Sequence, residues 1–195
     1  EGWILINRAI DVIGNTKLPI SIDTALFEGK MLIDGQPPPQ GQTAGELRFK
    51  SREGTYWRTI TSAAEDGSFK VRLPVGKYEV SFAINRQTYP EYATGWSLIF
   101  STLDLTIPQP QTDLRYETAF VTGPLRVGGR IVEDNLPDGD IGLALRRQRD
   151  GAWYQWDWKG GTPNYRMRIP EGDWQLHFQI NHGAIPDVAW GEAPM

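Results

Sequence analysis

The feature that most constrains this chain is that it repeats itself. Residues 75–85 (VGKYEVSFAIN) return as 171–181 (EGDWQLHFQIN), with Gly76, Phe82, Ile84 and Asn85 matched by Gly172, Phe178, Ile180 and Asn181. Tyr78 and Val80 are replaced conservatively by Trp174 and Leu176. Upstream, Phe27-Glu28-Gly29 with Gly35 matches Val121-Thr122-Gly123 with Gly129. The offset is 94 residues from Gly29 to Gly123 and 96 from Gly76 to Gly172, so a two-residue insertion separates the blocks. That period is well beyond the roughly 20–50 residues of solenoid repeats. The repeated units are therefore domains, and the 195 residues divide at 1–107 and 108–195. Gly2-Trp3-Ile4-Leu5-Ile6 reads like Gly95-Trp96-Ser97-Leu98-Ile99, so residues 1–14 also fit the tail of an upstream repeat.

Inside each unit the apolar period is two. Phe69, Val71 and Leu73 alternate with Lys70 and Arg72, as Tyr165, Met167 and Ile169 do with Arg166 and Arg168. Tyr78, Val80, Phe82 and Ile84, and their counterparts Trp174, Leu176, Phe178 and Ile180, alternate with polar or small residues. This is the signature of strands with one buried face. Turn residues punctuate them at Asp66-Gly67, Arg149-Asp150-Gly151 and Pro170-Glu171-Gly172, and no helical stripe is evident. The expected fold is all-β: two tandem antiparallel β-sandwich domains of similar sequence.

These residues resemble a known family. Asp66-Gly67-Ser68-Phe69, a strand, Pro74-Val75-Gly76-Lys77-Tyr78 and a second strand look like the carboxypeptidase regulatory-like domain, a transthyretin-like sandwich. The second unit is similar through Gly123, Gly129, Tyr165, Pro170, Gly172 and Trp174, with Pro163-Asn164 in place of Asp-Gly. The resemblance implies fold more than function, since the motif consists of turn and core residues. It implies a noncatalytic attachment on a secreted or surface protein, so extracellular, cell-surface or periplasmic placement is expected. Sandwiches of related fold that hydrolyse 5-hydroxyisourate carry a Tyr-Arg-Gly-Ser tail, which is missing here.

Composition narrows the chemistry. There is no cysteine, which removes disulfides, thiolate catalysis and cysteine-held metals. A net charge of −4 argues against nonspecific nucleic-acid binding. No apolar run approaches the roughly 20 residues of a membrane helix. His177 and His182 start on opposite faces of a strand and do not converge on a metal, so both are expected to be solvated. Glu133 to Asp140 offers carboxylates but not calcium-loop spacing. Arg146-Arg147-Gln148-Arg149 reads as a solvated turn. No nucleophile elbow or phosphate loop occurs. No enzyme activity, metal or cofactor is expected.

Tryptophans carry the strongest residue-level signal. Tyr154, Trp156 and Trp158 share one face of a strand, either as a platform for sugar rings or as core. Packing is the simpler reading, whereas the poverty of aromatics in the matching strand of the first unit favours a ligand site. Trp3, Trp96 and Trp190 recur beside glycine at one point of the repeat, as pins at an interdomain seam. The leading expectation is a structural and interaction module, a spacer or adhesive segment of a larger bacterial surface or secreted protein. Its partners would be neighbouring repeats or other surface proteins. The alternatives are a carbohydrate-binding module using the aromatic row and an auxiliary domain of a peptidase. Residues 3–13 form a spare apolar strand, which would give weak head-to-tail association if the second sheet is left open.

Overall fold

A computed structural model describes residues 17, 20–53, 57–61, 66–124, 126–127, 130–131, 141–149, 151–157, 164–180 and 191–192. All regular structure among them is β, and none of it is helix. The strands are β1 (Thr24–Ile33), β2 (Gly45–Ser51), β3 (Trp57–Thr61), β4 (Ser68–Pro74), β5 (Lys77–Ile84), β6 (Trp96–Asp104), β7 (Leu114–Tyr116) and β8 (Thr118–Pro124). They continue as β9 (Arg126–Val127), β10 (Arg130–Ile131), β11 (Ile141–Arg147), β12 (Trp153–Asp157), β13 (Asn164–Pro170), β14 (Trp174–Ile180) and β15 (Gly191–Glu192). The chain forms two compact units, Glu1–Phe82 with Leu98–Arg115, and Ala83–Ser97 with Tyr116–Met195.

Unit 1 is built on two sheets, ordered β4-β1-β7 and β3-β2-β5-β6. Alternation decides their faces: Phe69, Val71 and Leu73 of β4 are buried while Lys70 and Arg72 are exposed. Tyr78, Val80 and Phe82 of β5 are likewise buried and Lys77 is exposed. The two inner faces meet through Phe27, whose ring lies 6.1 Å edge-on from Phe49 and 5.3 Å from Phe69. β1 ends because Asp34 and Gly35 take φ of 50° and 74°, and Ile33 and Gln36 exchange backbone hydrogen bonds across them. That is the two-residue turn whose twist suits a hairpin. Gly29 is fixed by crowding, since a Cβ there would collide with the Thr112 carbonyl.

Unit 2 has sheets ordered β13-β8 and β12-β11-β14-β15, with a small β10-β9 ribbon. The registers of the two units correspond. Phe27 pairs with Val71 and Val121 with Met167, and Leu47 pairs with Ile60 as Leu143 does with Trp156. The core of unit 2 gathers Ala93, Leu143, Leu145, Tyr154, Met167 and Ile169 from both sheets. Two polar contacts recur as well. Tyr78 Oη donates to the Pro74 carbonyl at 2.6 Å and Trp174 Nε1 to the Pro170 carbonyl at 2.9 Å. Arg72 donates to Thr24 Oγ1 at 3.3 Å, and Arg168 to Thr118 Oγ1 at 3.2 Å. The Tyr-to-Trp change of the repeat thus keeps a ring whose polar tip bonds the carbonyl four residues back.

Unit 2 has one element with no described counterpart. Residues 91–95 run along the edges of both its sheets: Ala93 N–H bonds the Arg168 carbonyl at 2.9 Å and Arg168 N–H the Glu91 carbonyl at 2.8 Å. Thr94 and Gln155 exchange two further bonds, at 3.0 and 2.9 Å. The segment seals the side of the sandwich between β12 and β13, and its Ala93 side chain is fully buried in the core. The strand that follows, β6, joins β5 at the edge of its sheet, and β15 takes the same place beside β14. Residues 3–13, the spare strand expected from sequence, lie outside the described residues.

Candidate functional site

The aromatic row divides. Tyr154 is fully buried, its ring 4.9 Å edge-on from Trp174 and its hydroxyl bonded to Ser97 Oγ. A sugar cannot stack on it, so for Tyr154 the platform reading is corrected to core. The reason is non-local: Gly95 lies so close that a Cβ would meet the Trp153 carbonyl and, at 3.0 Å, the Tyr154 ring. In unit 1 the position opposite Phe49 is Arg58, which is exposed and donates to the Arg72 carbonyl at 3.2 Å. Trp156 sits opposite Leu143 in the ladder, but its side chain lies outside the described residues. So do Trp158, Trp3, Trp190, His182 and residues 132–140. Trp96 is half-buried at the start of β6.

Two polar expectations also change. His177 is half-buried against Trp153, with ring centroids 4.7 Å apart, instead of being solvated. Arg147 is only 8% exposed, its guanidinium 5.5 Å from the Trp174 ring, so the basic run is not simply a solvated turn. Trp153, on the outer phase of β12, is 49% exposed beneath Arg146. Beside Ser97 and Tyr154, burial pushes the Tyr116 hydroxyl well above the usual phenol range, and Tyr154 adds to the shift. The Tyr116 hydroxyl stays neutral, and with Ser97 and Tyr154 it forms a polar part of the core.

The first site of interest is the outer face of β8 and β13. Phe120 is 42% exposed, with the Arg168 guanidinium 3.9 Å and that of Arg166 4.6 Å from its ring centroid. Arg168 also lies over Tyr92 at 5.6 Å. Stacking on the ring orients both guanidinium planes, and Arg168 also donates to Thr118 Oγ1. The corresponding face of unit 1 carries ion pairs: Lys70 pairs with Glu28 at 2.9 Å, and Lys30 with Asp66 at 3.1 Å. Register puts Thr122 opposite Arg166 where Glu28 stands opposite Lys70. β8 and β13 contain no Asp or Glu at all. Sequence reasoning missed this face because Phe120 lies on the polar phase of its strand. The exchange of Glu28 for Thr122 was the available signal.

The second site is a groove of about 460 Å³ at the β13–β14 end of unit 2. Its apolar walls are Ala119, Val121, Leu145, Ile169, Trp174 and Leu176, and Gln148, Glu171 and Asp173 form its polar rim. Val121, Trp174 and Leu176 are half-buried, whereas their counterparts Phe27, Tyr78 and Val80 are buried. The volume falls in the ordinary range of small-molecule sites, about 300–1,000 Å³.

No family model matches the chain, and no curated protein matches it. Among solved structures it is similar to the Bacillus anthracis TIE protein at 12% identity and a TM-score of 0.33, covering 87% of this chain and 30% of that one. It therefore spans less than a third of that protein's length. It is also similar to a DUF3823 family protein from Parabacteroides merdae, at 14% identity and a TM-score of 0.33, over 83% of this chain and 92% of the other. A second DUF3823 family protein, from Bacteroides ovatus, gives 13% identity and a TM-score of 0.30 over 80% and 89%. These scores are low, and the fold stands on the strand pairing above. No helix among the described residues is long and apolar enough to cross a membrane.

Proposed function

We propose that this chain is a noncatalytic interaction module, a segment of a larger bacterial surface or secreted protein. In this reading both units are sandwiches of the carboxypeptidase regulatory-like kind, unit 1 serving as scaffold and unit 2 as the docking unit. The observation that carries it is Phe120 stacked under Arg166 and Arg168 on a sheet face without acids. Aromatic rings and arginines supply most binding hot spots, and a guanidinium held in place by a ring loses less freedom on binding. The partner that fits is an acidic segment of another surface protein.

Nuclear magnetic resonance titration with an acidic decapeptide tests this reading. Shifts should concentrate on β8 and β13 and disappear in Phe120→Ala and Arg166→Glu. A response absent from β8 and β13, or unchanged in both variants, would reject it.

A further inference from the structure

Unit 2 has a second outward face, on β11, β12 and β14. Leu143, Leu145 and Tyr154 are buried, so Ala144, Arg146, Trp153 and Gln155 lie on the opposite phase of their strands. The ladder sets Gln175 beside Arg146 and His177 beside Ala144. The Trp153 indole packs against the His177 ring, 4.7 Å between centroids, and about half of it stays in solvent. Unit 1 places Lys50 opposite Trp57 as unit 2 places Arg146 opposite Trp153. There Lys50 pairs with Glu79 at 3.8 Å, and their side chains are 47% and 38% exposed. The face is thus open to solvent in both units, as a property of the fold. The repeat puts Gln175 where Glu79 stands. Arg146 accordingly has no ion pair among the described residues, and none of the outward residues named here is an acid.

We propose that this face binds an acidic pyranose, a uronate or sialate residue of a glycan, whose C–H face stacks on Trp153 while its carboxylate meets Arg146. An indole presents an electron-rich surface to C–H groups. A guanidinium engages a carboxylate through two parallel N–H donors, which a neutral sugar cannot use in that way. Gln155 and Gln175 bring amide donors and acceptors suited to the sugar hydroxyls. The loss of the acid that pairs with Lys50 in unit 1 selects the sign of the ligand. This site belongs to the other sheet from β8 and β13 and does not depend on the docking reading of that sheet.

Two probe pairs test both halves of the proposal on the full chain: trigalacturonate with galactotriose, and sialyllactose with lactose. At least one acidic probe should shift the Trp153 indole N–H resonance saturably and bind at least tenfold more tightly than its neutral partner. The pair that responds identifies the acid. Gln175→Glu, which restores the unit 1 pairing, should weaken the acidic probe at least tenfold while the thermal transition is retained. Arg146→Gln serves the same purpose if Gln175→Glu does not fold. No saturable shift from any probe, equal affinity within both pairs, or undiminished binding by a folded variant would overturn the proposal. The wild-type comparison decides the matter even if neither variant folds.

Discussion

Unit 1 and unit 2 share ladder registers, an aromatic anchor bonded to a proline carbonyl, and an arginine–threonine contact, yet they spend their aromatic side chains differently. Unit 1 places Phe27, Phe49 and Phe69 in one central cluster and leaves Arg58 at its edge. Unit 2 moves aromatic bulk toward Tyr154 and Trp174 and brings residues 91–95 over that edge. The backbone pairing tolerates this exchange because an antiparallel ladder depends on main-chain bonds and on which face is apolar, not on which apolar residue occupies a site. What differs is therefore which positions of the shared ladder carry aromatic rings.

The comparison can be broken most forcibly in the cores. Phe27→Ala should destabilise unit 1 by about 3–5 kcal/mol, whereas Val121→Ala in unit 2 should cost less than about 2 kcal/mol. Denaturant titrations giving equal losses would mean that the two positions are packed alike. Next comes the edge cover. Gly95→Ala must push against the Trp153 carbonyl and the Tyr154 ring, an overpacking that should cost about 1–3 kcal/mol in unit 2 and leave unit 1 unmoved. A variant as stable as wild type in the unit 2 transition would show that residues 91–95 do not press on β12.

Smaller effects sharpen the likeness between the units. Tyr78→Phe removes the bond to the Pro74 carbonyl and should lower the stability of unit 1 by about 0.5–1.5 kcal/mol. The Pro74 carbonyl carbon resonance should move in Tyr78→Phe, and an unmoved resonance would show that the bond is not the cause. The smallest effect concerns acid. The backbone N–H and hydroxyl of Ser68, with Lys30, hold the Asp66 carboxyl at about 2 against an ordinary value of 3.8. A depressed carboxylate stabilises the fold above its unfolded pKa, and that contribution is lost as pH falls through the folded value. Unit 1 should thus lose a small increment between about pH 4 and pH 2, and Asp66→Asn should flatten it. An unchanged acid limb in that variant would assign the loss to other carboxylates.

Much of the fold was legible because a half-buried strand must alternate. Phe69, Val71 and Leu73 and then Tyr78, Val80 and Phe82 announced β4 and β5, and the repeat announced that unit 2 would follow the same order. The site was less legible. For Tyr154 the sequence left packing, the simpler reading, beside an exposed row, because nothing local reveals that Gly95 will lie on it from 59 positions upstream. Arg147 looked solvated because its burial depends on Trp174, in a different strand. Phe120 carries no signal of its own in the sequence, because its contacts come from Arg166 and Arg168 on a strand more than 40 residues downstream. Each miss involves a contact between segments remote in sequence, where periodicity carries no information.

The claim that unit 2 is the docking unit, because its sheet face lacks the acid that pairs with Lys70 in unit 1, is tested most directly by restoring that acid. Thr122→Glu places a carboxylate opposite Arg166, as Glu28 stands opposite Lys70. A calorimetric titration of this variant with the acidic decapeptide is predicted to show binding at least tenfold weaker than wild type, with unit 2 melting at an unchanged or slightly higher temperature. Undiminished binding by a folded Thr122→Glu protein would contradict the account.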